Sequence, residues 1–215
     1  MTKRLLLTRP DHDYATRYLS AWAEKFFDLA KKKGCSIIDL RRERANFKEV
    51  ESVLQKRKPC FVIINGHGDD DLVTGYKNEM LLRAGFNSSL LQGKITYAIS
   101  CRSARVLGEE AGQYENTAYI GYKDDFILIY LEECRTRPAE DKLAGLFLDP
   151  SNLVASSLLK GHTAGKSVLR ARQEFFRNIQ KLLTSKTKTE DSSILRYLLW
   201  DMKNLTLCGN GDKKI

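Results

Sequence analysis

Long apolar runs are missing from this 215-residue chain: its greasiest stretch, residues 126–131, is far below the roughly 20 apolar residues that a membrane-spanning helix needs. The first ten residues, Met-Thr-Lys-Arg-Leu-Leu-Leu-Thr-Arg-Pro, hold too short an apolar core for a secretory leader and no small-residue cleavage site. The expected location is therefore the cytoplasm, with no membrane partner. Proline is scarce, at 4 residues, and 42% of the chain is hydrophobic, which excludes collagenous and disordered classes. Cysteine comes as an odd set of 5 (Cys35, Cys60, Cys101, Cys134, Cys208) with no Cys-x-x-Cys pair. That pattern argues against a disulfide framework and against a zinc ribbon, so no structural metal and no cofactor are expected.

What is abundant is positive charge: 36 Lys and Arg against 27 Asp and Glu give a formal net charge of +9. Such a balance raises the question of nucleic acid or acidic partners. The basic groups are dispersed, however, in Lys31-Lys32-Lys33, around Arg41, Arg42 and Arg44, in Lys56-Arg57-Lys58 and over residues 181–188. Helix ends and solvated loops explain such placements, and nucleic acid is not the expected direct partner.

The length suits one domain, taken as 1–215. Over the first 125 residues short apolar runs alternate with amphipathic stretches, as in a parallel sheet covered by helices. Strands are expected at residues 5–8, 36–40, 60–65, 95–100 and 118–121. Asp11 is the expected N-cap of a first helix carrying Tyr14, Tyr18, Trp22, Phe26 and Leu29 at helical spacing, and a polar helix is expected around 46–58. A polar loop over 66–75 leads to a short helix ending near Gly93, and a further helix is expected over 103–111. In the second half, residues 126–131 read as a strand or a buried turn and 135–142 as an exposed loop. Helices follow over 146–160, 166–183 and 193–202, with a charged, mobile connector at 184–192 and a last strand at 205–208.

In an open parallel sheet the carboxyl ends of the strands deliver residues to one crevice. The third expected strand runs into Asn65-Gly66-His67-Gly68, and the fourth into Ser100-Cys101-Arg102-Ser103. Neighbouring strands lie about 5 Å apart, so pairing of these two brings an imidazole and a thiol within working range. A helix opening near Ser103, with a protonated His67 and Arg102, would favour the thiolate. The amides of Gly68 and Cys101 would meet a developing oxyanion, and His67 would protonate the leaving amine. Taken singly, each residue reads first as structural, the cysteine as a small buried hydrophobe and the His-Gly as a plain turn; together, their matching positions favour a Cys/His dyad.

The run Ile-Asn-Gly-His67-Gly68, followed 34 residues later by Tyr-Ala-Ile-Ser-Cys101-Arg-Ser-Ala, resembles the catalytic core of the caspase-like cysteine proteases, and most of all the CHAT group. Two later stretches, Gly161-His-Thr-Ala-Gly165-Lys-Ser-Val-Leu-Arg-Ala171 and Trp200 to Asp212, are similar to a helix-opening turn and the closing strand of CHAT domains. The resemblance implies a three-layer α/β/α fold on a mostly parallel six-stranded sheet, order 2-1-3-4-5-6 with the last strand antiparallel. It implies an endopeptidase acting on protein substrates through His67 and Cys101 without a cofactor, activated by a partner protein or ligand, as in regulated bacterial defence or stress responses. The rival readings are a catalytically inactive interaction module of the same fold and a basic nucleic-acid-binding α/β protein.

Other motifs stay outside this reading. Gly161 to Ser167 mimics a phosphate-binding loop but lacks its glycine spacing. Asp69-Asp70-Asp71 reads as solvated acid, with Asp69 or Asp70 available to orient His67, while His12 and His162 lack metal-ligand neighbours in the sequence. Asp124 and Asp125, just past the fifth strand, are candidates for a pocket selecting Lys or Arg at the cleaved bond; a basic rim steering acidic substrates is the alternative.

Overall fold

A computed structural model describes residues 3–184 and 191–215. Among the described residues eight strands form: β1 (Lys3–Arg9), β2 (Cys35–Arg41), β3 (Phe61–Asn65), β4 (Leu72–Thr74), β5 (Met80–Arg83), β6 (Ile95–Ile99), β7 (Ala118–Tyr122) and β8 (Leu205–Gly209). Six of them make one sheet in the order β2-β1-β3-β6-β7-β8, parallel except for β8, which runs antiparallel to β7. This is the three-layer α/β/α arrangement with the expected strand order. The central strands β3, β6 and β7 are buried at every residue, so they read as largely apolar runs, with Thr96 and Asn65 the polar exceptions.

Alternation along the strands sorts side chains to two faces. Leu5, Leu7, Phe61, Ile63, Tyr97, Ile99 and Tyr122 meet α1 (Tyr14–Ala23), α2 (Phe27–Lys32), α5 (Lys142–Leu159), α6 (Ala164–Thr184) and α7 (Asp191–Asn204). Leu6, Val62, Ile64, Ala98 and Tyr119 meet α3 (Phe47–Ser52), α4 (Leu107–Gln113) and the β4–β5 hairpin.

Several local expectations are corrected. The N-cap of α1 is Asp13, not Asp11: the Asp13 side chain accepts from the Thr16 amide, and Thr16 answers on the Asp13 backbone, closing a capping box. Asp11 sits at φ +52° and pairs with Arg17 and Arg42. The stretch after β3 holds the β4–β5 hairpin, and 3-10 turns at Tyr76–Asn78 and Ser88–Leu91 stand in place of the expected short helix. Its strands are too short for a period of two to show in the sequence. Residues 101–106 form turns, so α4 begins at Leu107 rather than near Ser103. The stretch 135–142 is no simple exposed loop, since Pro138 and Asp141 are buried. Of the charged connector, residues 185–190 lie outside the described residues. Among the described residues, no helix is long and apolar enough to cross a membrane.

Residues 123–131 form an irregular strap from the end of β7 across the carboxyl edge of the sheet. Side chains from distant elements pin it. Trp200 Nε1 donates to the Asp125 carbonyl (2.9 Å), and Asp201 Oδ1 accepts from the Ile127 amide (3.0 Å). Asp141 Oδ2 accepts both from the Leu131 amide (2.8 Å) and from the Tyr18 hydroxyl (2.8 Å), while its Oδ1 caps α5 through Ala144. Asp201 is fully buried and has one carboxylate oxygen without a hydrogen-bond partner among the described residues. Burial pushes its carboxyl well above the usual carboxylate range, and the Ile127 amide offsets this only in part.

A carboxyl raised in this way keeps its proton in the folded chain when the unfolded chain has lost it. Its stabilising contribution is complete below the ordinary carboxylate pKa and declines as pH rises toward the native value. Asp201→Asn keeps an oxygen for Ile127 and removes the titration. The wild-type Tm, followed by circular dichroism from pH 4 to 8, should therefore fall relative to that of Asp201→Asn as pH rises. Parallel curves would place the proton elsewhere.

Candidate active site

The site grows out of one register. β3 and β6 are parallel with Asn65 opposite Ile99, and His67 and Cys101 each lie two residues beyond that pair. Both therefore leave the sheet on the face covered by α1. The glycines around His67 serve close approach rather than a left-handed turn. A Cβ on Gly66 would sit 2.0 Å from the Thr74 carbonyl oxygen, and one on Gly68 would meet the Cys101 carbonyl oxygen at 2.7 Å and Ser100 Cβ at 2.8 Å. The hairpin fixes the His67 backbone, because its carbonyl accepts from the Thr74 amide (2.9 Å) and hydroxyl (3.2 Å). The Thr74-to-His67 and Asp69-to-Leu72 bonds bracket Gly68 opposite Val73, which turns the Gly68 N–H away from β4.

His67 and Cys101 line the same small cavity, about 50 Å³, between the sheet edge, α1 and the strap. Its other walls include Leu19, Ile99, Phe126 and Leu128, so it is largely apolar. The Cys101 Sγ lies 4.0 Å from the Phe126 carbonyl oxygen. His67 directs Nε2 at Asp13 Oδ2, 2.6 Å away, while Asp13 Oδ1 is held by the Thr16 amide and hydroxyl, each at 2.8 Å. One carboxylate thus caps a helix with one oxygen and orients an imidazole with the other. Burial pushes the Asp13 carboxyl up, but the hydrogen bonds from His67 and Thr16 outweigh it, and the net effect holds Asp13 below its usual range.

Sequence reasoning missed Asp13. It placed the orienting acid at Asp69 or Asp70, and the structure commits those groups elsewhere: Arg102 meets Asp69 (3.2 Å) and Asp70 (3.8 Å), and Arg105 meets Asp70 (3.4 Å). The available signal was an acid after the first strand, at the same sheet edge as the other two strand ends. Asp124 and Asp125 also reach this edge, Asp124 paired with Arg105 and Asp125 with Arg102, each at 3.2 Å. Four carboxylates share two guanidiniums here, so the rim of the site is locally acidic on a basic protein. His12, expected to stand alone, hydrogen-bonds Asn78 Oδ1 through Nε2 (3.3 Å), with Asp13 Oδ2 3.4 Å from the same nitrogen, and packs edge-on against His67 at 5.9 Å between ring centroids.

Burial pushes the Cys101 pKa up, the nearby Asp125 charge adds to this, and Arg102 opposes it. The helix dipole expected to lower it is absent at this position. The first amides of the α4 end, Val106 and Leu107, both donate to the Asp70 carbonyl.

No family model matches the chain, and no curated protein matches it. Among solved structures, one described as a protease matches over 100% of this chain with a TM-score of 0.52 and 14% identity. The chain spans only 48% of that protein, about half its length. The likeness is one of fold.

Asp125 offers a direct electrostatic test. Removing its charge stabilises the thiolate, so Asp125→Asn should move the pH profile of Cys101 alkylation by iodoacetamide to lower pH and raise the rate severalfold at pH 7.5. Site-resolved mass spectrometry reads both quantities. An unmoved profile would mean that burial alone sets the thiol.

Proposed function

We propose that this chain is a caspase-like cysteine endopeptidase of the CHAT type, with Cys101 as nucleophile and His67 as acid and base. The observation that carries this reading is the shared cavity: a thiol and an imidazole from register-matched strand ends line it together, and a carboxylate fixes the imidazole. Donation of Nε2–H to Asp13 leaves Nδ1 as the nitrogen free to take a proton. His67 removes the Cys101 proton and the thiolate attacks the scissile carbonyl carbon. The amides of Gly68 and Cys101 receive the oxyanion. His67 then returns the proton to the leaving amine, and water, deprotonated by His67, releases the acyl group.

A thiol whose pKa is raised at rest, beneath a strap pinned at Asp125, Ile127 and Leu131, supports activation by a partner protein or ligand that shifts the strap. The small apolar cavity favours a small apolar side chain at the cleaved position, with basic residues at neighbouring positions facing the acidic rim. A second reading, Lys or Arg at the cleaved position itself, draws on Asp125 beside the thiol, although that acid is already shared with Arg102.

Acyloxymethyl-ketone peptides carrying Ala, Leu, Met, Lys, Arg or Asp at the first position test these roles. Selective modification of Cys101 is expected, absent in Cys101→Ala and reduced about a hundredfold or more in His67→Ala. Asp13→Asn should fall between wild type and His67→Ala, and its defect should appear in the rate of modification rather than in probe affinity. Equal modification of several cysteines, with and without candidate partners, would remove the peptidase reading. Preference for Lys or Arg that Asp125→Ala abolishes would favour the second specificity.

A further inference from the structure

We propose that His12, Asp13 and His67 form a binding site for a divalent transition-metal ion, zinc above all, and that metal there switches the dyad off. The three donor atoms, His12 Nε2, one Asp13 carboxylate oxygen and His67 Nε2, lie within 4.8 Å of one another. Two imidazole Nε2 atoms lie 3.4 and 2.6 Å from a single carboxylate oxygen, Asp13 Oδ2, and His12 Nε2 also hydrogen-bonds Asn78 Oδ1 (3.3 Å), a contact that an ion would replace. Two imidazoles with one carboxylate suit zinc, cobalt or nickel and discriminate against magnesium and calcium, which prefer all-oxygen shells. Three protein ligands leave a fourth position for water.

The geometry is close to what an ion requires. Zinc holds nitrogen and oxygen donors at about 2.0–2.2 Å, which puts two donors of a tetrahedral shell roughly 3.3 Å apart. The His12-to-Asp13 separation already matches. His67 has to withdraw from Asp13 by about 0.7 Å and settle within reach of His12, whose donor lies within 4.8 Å of its own, and its side chain, 43% exposed, is free to do so. The carboxylate is preset, because the capping box holds Oδ1 and leaves Oδ2 for the cluster. His12 is anchored through its backbone amide to Thr16 Oγ1 (3.0 Å) and by edge packing on Tyr76.

The consequence for chemistry follows from the imidazole alone. A neutral ring with Nε2 on a metal carries its proton on Nδ1, so neither nitrogen has a lone pair to accept the Cys101 proton. The thiol then stays protonated and the dyad is silent. This regulatory step rests on the peptidase reading above, whereas the metal site itself does not.

Titration of the full chain with zinc and with cobalt, by calorimetry and visible absorption in a non-chelating buffer, tests the site. One equivalent should bind, and the cobalt spectrum should lack a thiolate-to-metal charge-transfer band. Cys101→Ser should bind equally well, and His12→Ala and His12→Gln should each bind at least tenfold more weakly with an unchanged Tm. Failure to bind, loss of binding in Cys101→Ser, or equal affinity in both His12 variants would overturn the proposal. For the switch, zinc should slow Cys101 modification in the wild type with half-effect at its binding midpoint, and should spare His12→Ala at the same concentration. Binding without any effect on a reactive Cys101 would overturn the switch. A Cys101 unreactive even without metal would remove the peptidase reading while leaving the binding result to stand by itself.

Discussion

Parallel pairing of β3 with β6 is the constraint from which the site follows. Both strands are buried on both faces, so a slip of one residue would exchange every side chain between two different apolar layers. The pairing is therefore held by the whole core, and it carries Asn65 opposite Ile99 to the sheet edge. Two residues later the imidazole and the thiol emerge on one side of the sheet. Their convergence costs little local structure: two glycines that allow backbones to touch, and a short hairpin that takes the His67 carbonyl.

The second element of the site is a carboxylate with two tasks. An Asp N-cap is worth about 1 kcal/mol to a helix, through the oxygen that accepts from the first turn. Asp13 spends one oxygen that way and thereby fixes the direction of the other. The helix end does not attract an anion here; it supplies one, rigidly placed, to an imidazole on the next strand but one in the chain. That arrangement explains why Asp13 holds its charge below the usual carboxylate range, and His12 Nε2 stands 3.4 Å from the same oxygen.

Legibility in the sequence followed the strength of the core. The six sheet strands and their order were readable, because buried central strands are largely apolar runs and the resemblance supplied the order. His67 and Cys101 were readable because each directly follows such a run. The hairpin, the strap and Asp13 were not. β4 and β5 hold only 3 and 4 residues, too few for a periodic signal. The strap is defined by side chains from α1, α5 and α7, contacts far away in the chain that no local window contains. Asp13 lay within three residues of another acid, and only the starting point of α1 decides which of them caps it. The placement of α4 failed for a related reason: tertiary hydrogen bonds from Arg102 and Ala104 to the Asp124 and Tyr122 carbonyls hold residues 101–106 in turns.

On the peptidase reading, the raised thiol pKa and the imidazole cluster act in the same direction. A protonated Cys101 depends entirely on a His67 nitrogen that can accept a proton, so any ligand occupying the ring competes with catalysis. Linkage makes that competition reciprocal. An imidazolium holds protons on both nitrogens and cannot bind a metal, hence a substrate that draws the thiol proton onto His67 weakens the metal by the factor by which the metal weakens the reactive state. The strap enters the same balance through Asp125, whose charge disfavours the thiolate. A partner that moved Asp125 away from Cys101 would favour the imidazolium–thiolate pair and release the metal together, using one displacement to relieve both restraints.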